Sequence, residues 1–270
     1  MTSGRSPRVR AARALAKRAL RERSRQFLAE GPQAVREALG ASLVTELFVT
    51  GQARAKHAGL VADVASTGAS VHEVTGEVMA ELAQTVTPQG LLAVCPFIDV
   101  PLAGLLGAGQ RLVVVLANIR DPGNAGTVLR TADAAGADGV VFAGASVDPY
   151  NSKCVRSSAG SLFHVPITVG VSVAAAVTAA RAAGLAVLAA DGSASVGLDQ
   201  LEQAGRLASP TAWLFGNEAW GLPDDLLLLA DDGVAVPIYG RAESLNLAAA
   251  AAVCLYASAR AQHLGAAQPR

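Results

Sequence analysis

Three polar segments of this sequence lie at the ends of apolar runs and carry side chains that can do chemistry. They are residues 118–130, 214–223 and 237–246. Their amide, guanidinium, carboxylate and hydroxyl groups belong to Asn124, Arg130, Glu218, Ser244 and Asn246. Each residue alone has an ordinary explanation, because turns and helix caps use such residues widely. Folding alone does not require all five in three distant loops, so together they predict a binding or catalytic site.

The first segment has the pattern of a tight turn between a strand and a helix. Pro122 and Gly123 form a turn dipeptide, and the pattern from Gly126 to Ala135 predicts a helix. Arg130 is expected one turn inside this helix, with its side chain leaning back toward the turn. Open α/β sheets bind ligands at such carboxyl ends of strands.

Alternating strand and helix patterns predict an α/β fold in two parts. Residues 8–28 are predicted as one basic helix, and residues 43–95 as a small α/β unit. Residues 111–262 are predicted as a mainly parallel sheet with helices on both faces. Ser244 is placed as the N-cap of the closing helix, Leu245–Gln262. The predicted divisions are a basic N-terminal arm (1–24), a substrate-binding domain (25–96), a linker (97–110) and a larger domain (111–270).

The composition bounds the class of protein. Its 270 residues are 51% hydrophobic, which suffices for a buried core and excludes disorder of the whole chain. Charges and prolines interrupt the apolar stretches and the N-terminus is basic, so we expect no membrane span, no signal peptide and a cytoplasmic location. Cys95, Cys154 and Cys254 are predicted as buried free thiols, and no metal is expected because the four histidines show no ligand spacing.

The charge is unevenly distributed. The whole chain has a formal net charge of zero, but residues 1–25 contain nine Lys or Arg and one Glu. A basic arm on an otherwise acidic protein is typical of a partner that carries phosphates, such as a nucleic acid. The alternative is a solvated, partly disordered tail that only aids solubility.

Three longer motifs carry a resemblance to a known family. They are NIRDPGNAGTVLRTADAAGADGVVF from residue 118, LFGNEAWGLP from residue 214 and VPIYGRAESLNLAAAAAV from residue 236. In order, spacing and identity they resemble the SpoU (TrmH-like) RNA 2′-O-ribose methyltransferases of the SPOUT superfamily. Residues 150–166 are similar to the family's intervening region. Residues 26–39 and 87–94 resemble the family's small RNA-binding domain, which has an L30e/L7Ae-like α/β fold.

The resemblance implies a fold, a cofactor and a reaction. It implies methyl transfer from S-adenosyl-L-methionine (AdoMet) to a ribose 2′-hydroxyl, on a SPOUT parallel-sheet domain with a deep trefoil knot, a rare topology. The sequence contains no glycine-rich phosphate cradle, which fits a cofactor without a pyrophosphate and argues against a nucleotide-dependent oxidoreductase. The residues implied to hold AdoMet are Leu214, Phe215, Gly216, Gly221, Ile238, Ser244 and Leu245.

The resemblance also assigns roles to the five polar residues. Arg130 takes the central catalytic role, which is described in such enzymes as that of a general base acting with an RNA phosphate. Because arginine stays protonated in proteins, we favour a role for Arg130 in stabilising the developing alkoxide and clamping a phosphate. Asn124 and Asn246 are expected to orient Arg130 or the ribose. Ser244 is expected to contact the hydroxyl or the cofactor, and Glu218 to hold the site together.

RNA and a second copy of the chain are the expected partners. The resemblance implies a homodimer that acts on RNA, with 23S ribosomal RNA as the expected substrate. The alternatives are a tRNA ribose 2′-O-methyltransferase and a non-catalytic RNA-binding protein on the same fold. The sequence does not separate housekeeping modification from antibiotic resistance. The candidate RNA contacts are Arg8, Arg10, Arg13, Lys17, Arg18, Arg21, Lys153 and Arg156.

Overall fold

The structure, a computed structural model, describes residues 4–266. Up to residue 98 its helices and strands are α1 (Pro7–Ala14), α2 (Arg18–Ser24), β1 (Gln26–Glu30), α3 (Pro32–Gly40), β2 (Glu46–Thr50), α4 (Gly51–Lys56), α5 (Ala58–Ser66), β3 (Ser70–Val74), α6 (Gly76–Leu82) and β4 (Leu91–Pro96).

The remaining elements alternate more regularly. They are α7 (Leu102–Leu105), β5 (Leu112–Ala117), α8 (Pro122–Ala134), β6 (Gly139–Ala143), α9 (Ser152–Ser157), β7 (Ile167–Val171), α10 (Val173–Ala182), β8 (Ala186–Ala190), β9 (Val196–Gly197), α11 (Leu198–Gln203), β10 (Thr211–Phe215), α12 (Asp224–Leu227), β11 (Asp232–Ala235) and α13 (Leu247–Ala266).

Two compact units divide the chain. The first contains the described residues up to Ile98 together with Asp148–His164, and the second contains Asp99–Val147 and the described residues from Val165 onward. Residues 148–164, which contain α9, were predicted to belong to the larger domain. They pack with the first unit because Tyr150 stacks on Phe97, with ring centroids 3.8 Å apart. The predicted limits of the domains otherwise stay a prediction.

The second unit is built on a seven-stranded sheet in the order β7-β6-β5-β10-β8-β11-β9, and every pairing in it is parallel. Strand β5 is buried at every position, as expected for a parallel strand covered on both faces. On one face, Leu214 of β10 belongs to the same core cluster as Ala176 of α10. On the other, the indole N–H of Trp213 donates to the hydroxyl of Ser258 in α13 at 2.9 Å. The predicted parallel sheet between two helical layers is confirmed.

This sheet places the polar segments at one edge. Strands β5, β10, β8 and β11 are neighbours and point the same way, so the loops that follow them emerge together. These loops contain the three predicted segments and one further residue, Asp191, after β8. The trefoil knot implied by the family resemblance stays a prediction.

The first unit has a four-stranded sheet in the order β1-β4-β2-β3, in which only β2 and β3 are parallel. The predicted basic helix over residues 8–28 is wrong. The helical segment is interrupted between α1 and α2, and α2 ends at Ser24 because the next residue, Arg25, adopts a left-handed conformation with φ of 54°. Strand β1 follows because Phe27, Leu28 and Ala29 are buried against β4.

The basic arm contributes to the core of the first unit. Val9, Ala12 and Leu15 lie on one side of the first helix and its end, and they are buried in a cluster with Phe48 and Met79. Spacings of three residues place apolar side chains on one helical face. Residues 7–15 therefore form an amphipathic helical segment, and not only a solvated tail.

Candidate active site

A cavity of about 470 Å³ opens at the edge of the sheet where β8, β10 and β11 end. This volume lies within the roughly 300–1,000 Å³ of small-molecule sites. Its wall combines the ends of these strands with the loops after β10 and β11. The residues that line it are Ala190, Asp191, Gly192, Phe215, Gly216, Asn217, Glu218, Ala219, Gly221, Val234, Val236, Ile238, Glu243, Ser244, Leu245, Asn246, Leu247 and Ala250.

The loop after β10 is a tight turn closed by its own backbone. The N–H groups of Asn217 and Gly221 each donate to the carbonyl of the other residue at 2.9 Å. A side chain at Gly216 would collide with this turn, because its Cβ would lie 2.4 Å from the carbonyl carbon of Gly221. Gly216 is therefore required for the close approach of two backbone segments.

Asn217 ties this turn to the loop after β5. Its side-chain amide donates to the carbonyl of Asn118 at 2.8 Å, and its side-chain oxygen accepts from the N–H of Ala219 at 2.9 Å. The Asn217 side chain is buried, so satisfying both polar ends matters for stability. Asn217 was not among the predicted site residues, although its place between Gly216 and Glu218 was a signal.

Glu218 links the cavity wall to the start of α8. Its Oε1 accepts from the N–H of Asp121 at 3.3 Å and from the side-chain amide of Asn124 at 3.2 Å. Its Oε2 accepts from the N–H of Arg120 at 3.4 Å. A carboxylate in this position also complements the positive end of the α8 dipole. These contacts join the turn after β10 to the start of α8, and the expected role of Glu218 in holding the site together stays a prediction.

Asn124 and Asn246 connect two of the predicted segments. The side-chain amide of Asn246 donates to the side-chain oxygen of Asn124 at 3.1 Å. The Asn246 oxygen also accepts from the N–H of Ala248 at 2.9 Å. Asn246 is therefore the residue that caps α13, which begins at Leu247, and the prediction that Ser244 caps this helix is wrong. Ser244 is exposed and lines the cavity instead.

Arg130 lies on the exposed side of α8. The helix begins at Pro122 with Asp121 as its N-cap, so Arg130 is more than two turns from its start and not one turn as predicted. Asn124 contacts two residues of the cavity wall, Glu218 and Asn246. Arg130 is not among the described residues that line the cavity. Four of the five predicted catalytic residues thus line the cavity or contact its lining, and Arg130 does neither.

The electrostatic character of the cavity is acidic. Asp191, Glu218 and Glu243 contribute carboxylates, and the described lining contains no lysine, arginine or histidine. Apolar walls come from Phe215 and Leu245, among others. Such a site complements a ligand with a cationic centre and an apolar ring system, and it does not provide the cationic groups that hold a pyrophosphate.

The predicted cofactor contacts largely coincide with this lining. Six of them line the cavity, namely Phe215, Gly216, Gly221, Ile238, Ser244 and Leu245. Leu214 is fully buried in the core of the sheet, because alternate residues of β10 point to opposite faces. Asp191 and Glu243 also line the cavity but were not among the predicted site residues. The position of Asp191 directly after the apolar run at residues 185–190 could have identified it.

The predicted RNA contacts lie in the first unit. Arg8, Arg10, Arg13, Lys17 and Arg18 are exposed on α1, α2 and the turn between them. Three of these residues form exposed ion pairs with glutamates of the same unit. Exposed pairs contribute little to stability, about 0–1 kcal/mol each, so these cations remain accessible to phosphates.

Arg21 differs from the other basic residues. It is buried, and its guanidinium donates to the Asp148 carboxylate at 2.6 Å and to the carbonyls of Leu15 and Ala16 at 2.8 and 3.0 Å. This arrangement satisfies the charge inside the unit, so Arg21 is not part of an accessible RNA surface. The sequence around Arg21 gives no sign that this arginine is buried, because it is one of several basic residues in a helical pattern.

Lys153 and Arg156 are in α9, which also belongs to the first unit. Lys153 is exposed. Arg156 is partly buried and pairs with Glu30, with 3.3 Å between the guanidinium nitrogen and the carboxylate oxygen.

The three cysteines, Cys95, Cys154 and Cys254, are buried free thiols, as predicted. Burial raises the pKa of Cys95 and Cys254 to about 12. Residues 4–266 contain no group of three or more side chains suited to hold a metal ion. No helix within the described part of the chain is long and apolar enough to cross a membrane.

These features define an α/β protein with an acidic, cofactor-sized cavity at the carboxyl edge of a parallel sheet. Comparison with family models agrees with this class. A model of the SpoU rRNA Methylase family matches residues 111–256, and a model of the MRM3-like substrate binding domain matches residues 6–93. The chain therefore belongs to the SpoU rRNA methylase family.

Individual relatives cover nearly the whole chain. The 23S rRNA (guanosine(2553)-2′-O)-methyltransferase RlmP of Bacillus subtilis is 34% identical over 237 residues, which are 87% of this chain and 89% of that protein. The AdoMet-bound rRNA methyltransferase of Sinorhizobium meliloti has 32% identity and a TM-score of 0.84, over 96% of this chain and 97% of that one. The SpoU methyltransferase AviRb of Streptomyces viridochromogenes, in complex with AdoMet, has 30% identity and a TM-score of 0.82, over 96% and 99% of the two chains.

Proposed function

We propose that this protein transfers a methyl group from AdoMet to a ribose 2′-hydroxyl of RNA, and that the RNA is 23S ribosomal RNA. The observation that carries the proposal is the acidic cavity. Residues of the segments 214–223 and 237–246 line its wall. The segment 118–130 is bound to that wall, because Asn124 forms hydrogen bonds with Glu218 and Asn246. The family and the relatives, which are named as 23S rRNA 2′-O-methyltransferases, support the same reaction.

The cavity fits AdoMet on chemical grounds. AdoMet carries a sulfonium, an ammonium and one carboxylate group, hence a net positive charge and no phosphate, and the wall offers three carboxylates without a basic side chain among the described residues. Phe215, Val234 and Leu245 offer apolar surface for an adenine ring, and the backbone of the Gly216–Gly221 turn offers polar groups at close range.

The residues of this chain have separable roles in the reaction. Bound AdoMet supplies an electrophilic methyl group on a sulfonium, with a neutral leaving group. The protein must then hold the hydroxyl in line with that methyl group and favour the loss of its proton to solvent water. We assign orientation of the ribose to Asn124 and Asn246, which hold each other. We assign to Arg130, which is exposed on α8, the stabilisation of the developing alkoxide and the binding of a phosphate.

The substrate is recognised by the first unit. Its exposed arginines and lysine on α1 and α2 provide the positive surface that an RNA backbone requires. This unit matches a substrate binding domain, which supports an assignment to a large structured RNA.

We also infer a cytoplasmic location.

We infer that the enzyme acts as a homodimer. Val253 and Tyr256, on α13, are 42% and 46% exposed, which leaves apolar surface on the closing helix. Light scattering should give a mass about twice the 27.3 kDa of one chain. A monomer at concentrations that support methyl transfer would contradict this inference.

One experiment tests the reaction. Purified protein is incubated with labelled AdoMet and, in separate reactions, with 23S rRNA and with tRNA. We expect label in 23S rRNA, at one ribose whose 3′ phosphodiester then resists alkaline hydrolysis. Label confined to tRNA would assign the enzyme to the other RNA class, and AdoMet binding without transfer to either would refute the proposed reaction.

Two variants test the role of Arg130. Arg130→Ala should lower the rate of methyl transfer by about 10²–10³-fold, the usual effect of losing one electrostatic contact to a developing oxyanion. Its melting temperature should not change, because the side chain is exposed. Arg206→Ala removes another exposed arginine of the second unit, one that pairs with Asp232 at the start of β11, and should retain the wild-type rate. Wild-type turnover by Arg130→Ala would contradict the assigned role.

A further inference from the structure

An exposed tryptophan lies at the rim of the cavity beside an arginine. The sequence has two tryptophans, and Trp213 is fully buried in the sheet. Trp220 is 52% exposed, and the guanidinium carbon of Arg120 lies 4.8 Å from the centroid of its ring. A cation at this distance from an indole is attracted by the ring, so the two side chains hold each other.

The backbone holds this pair in place. Trp220 lies in the turn that the two hydrogen bonds between Asn217 and Gly221 close. The N–H of Arg120 donates to Glu218 at 3.4 Å, so the other member of the pair is tied to the same turn. Ordering two long side chains before a ligand arrives lowers the entropy lost on binding.

The position of the pair relates it to the proposed reaction. Ala219 and Gly221, the neighbours of Trp220, both line the cavity, whereas the Trp220 ring lies against Arg120. Glu218 accepts hydrogen bonds from both Arg120 and Asn124. It therefore connects the pair to Asn124, which is assigned to the orientation of the ribose. A nucleotide adjoining the target ribose would meet this ring.

We propose that Trp220 and Arg120 form a stacking site for an unpaired nucleobase next to the methylated nucleotide. The indole stacks on the base and the guanidinium of Arg120 contacts the base or its phosphate. Exposed aromatic rings and arginine planes are the surfaces on which proteins stack unpaired RNA bases. The inference rests on the proposed function, because it takes RNA as the substrate of this site.

The fluorescence of the protein provides a direct test. Because Trp213 is buried, a base that stacks on Trp220 should quench the accessible part of the tryptophan emission. The probe is a single-stranded RNA of about ten nucleotides, within the range of single-strand binding sites. Quenching should be absent in Trp220→Phe, which lacks the reporter. Equal quenching by inorganic polyphosphate would show that the pair senses charge alone, and would overturn the proposal.

Affinity and kinetics provide the second readout. Trp220→Ala should weaken RNA binding and raise the KM for RNA by roughly 5- to 150-fold, the range for loss of one base stack. Its affinity for AdoMet should not change, and Trp220→Phe should bind RNA nearly as well as the wild type. Leu228→Ala, which truncates another exposed apolar residue of the second unit, is the matched control.

The outcomes separate this proposal from the proposed function. If the wild type methylates RNA but Trp220→Ala has an unchanged KM and the oligonucleotide does not quench, the stacking site is refuted and the reaction stands. If quenching and the affinity loss occur but no RNA is methylated, the site binds a base and the proposed reaction is refuted.

Discussion

One added methyl group tests whether the turn after β10 forms the cofactor wall. In Gly216→Ala the new Cβ would lie 2.4 and 2.5 Å from the carbonyl carbon and oxygen of Gly221, and 2.6 Å from the amide nitrogen of Leu222. Favourable contacts of carbon begin near ~3.5 Å. All three neighbours are backbone atoms, so no change of rotamer relieves the collision, and the turn must open by about 1 Å.

The energetic cost follows from the hydrogen bonds that close the turn. Opening it by about 1 Å would break the two bonds between Asn217 and Gly221, each now 2.9 Å long. Two such bonds contribute roughly 0.5–1.5 kcal/mol each, and the remaining strain is roughly 1–3 kcal/mol. The sum is about 4 kcal/mol, which corresponds to a fall in melting temperature of about 8–16 °C.

The assay is thermal unfolding with and without AdoMet. A ligand that binds the native state stabilises it by RT ln(1 + [L]/Kd), so wild-type protein should melt at a higher temperature as AdoMet is added. Without AdoMet, Gly216→Ala should melt about 8–16 °C below the wild type, and AdoMet should not raise its melting temperature. Gly240→Ala, in the loop after β11, has no atom within 4 Å of the added Cβ and should behave as the wild type. A Gly216→Ala protein with the wild-type melting temperature and AdoMet shift would refute the assigned geometry.

Three further predictions concern the two units. Arg21→Ala leaves the buried carboxylate of Asp148 unpaired and should reduce the free energy of unfolding by about 3–5 kcal/mol, measured in urea. Burial alone would raise the pKa of Asp231, but the N–H of Val187 and the Arg181 guanidinium hold it below its ordinary value. Ionised Asp231 therefore stabilises the fold above about pH 4, and the urea midpoints of wild type and Asp231→Asn should converge as the pH falls below that value. The Cys254 thiol, with a pKa of about 12, should react with a thiol reagent at pH 8 only after unfolding.

The parts of the fold that the sequence predicted depend on local patterns. Strand β5 is a continuous apolar run, and a run of this kind next to helical patterns is typical of a parallel sheet with two covered faces. The strand ends then determine where the polar loops meet. For this reason Glu218 and Asn246, which both contact Asn124, lie with it at the one edge of the sheet where the sequence predicts that the three loops meet.

The parts that were missed depend on contacts between distant residues. Strand β1 exists because it pairs with β4, and no local signal distinguishes its residues from the end of a helix. Arg21 and Asp148 are 127 positions apart, so their pairing has no local signature. Ser244 and Asn246 are both good N-cap residues, and which of them caps α13 depends on where the loop after β11 meets Asn124.

The distribution of charge within the second unit suggests how it separates its two ligands. The cavity wall contains three carboxylates, which attract a cationic cofactor and repel phosphates. Arg120 and Arg130 are exposed at the start of α8 and along it, where an RNA backbone can approach. Glu218 lies between these regions, because it lines the cavity and also accepts the N–H of Arg120. In the proposed reaction, these opposite charges on either side of Glu218 would allow the methyl donor and the ribose to meet there without competing for the same surface.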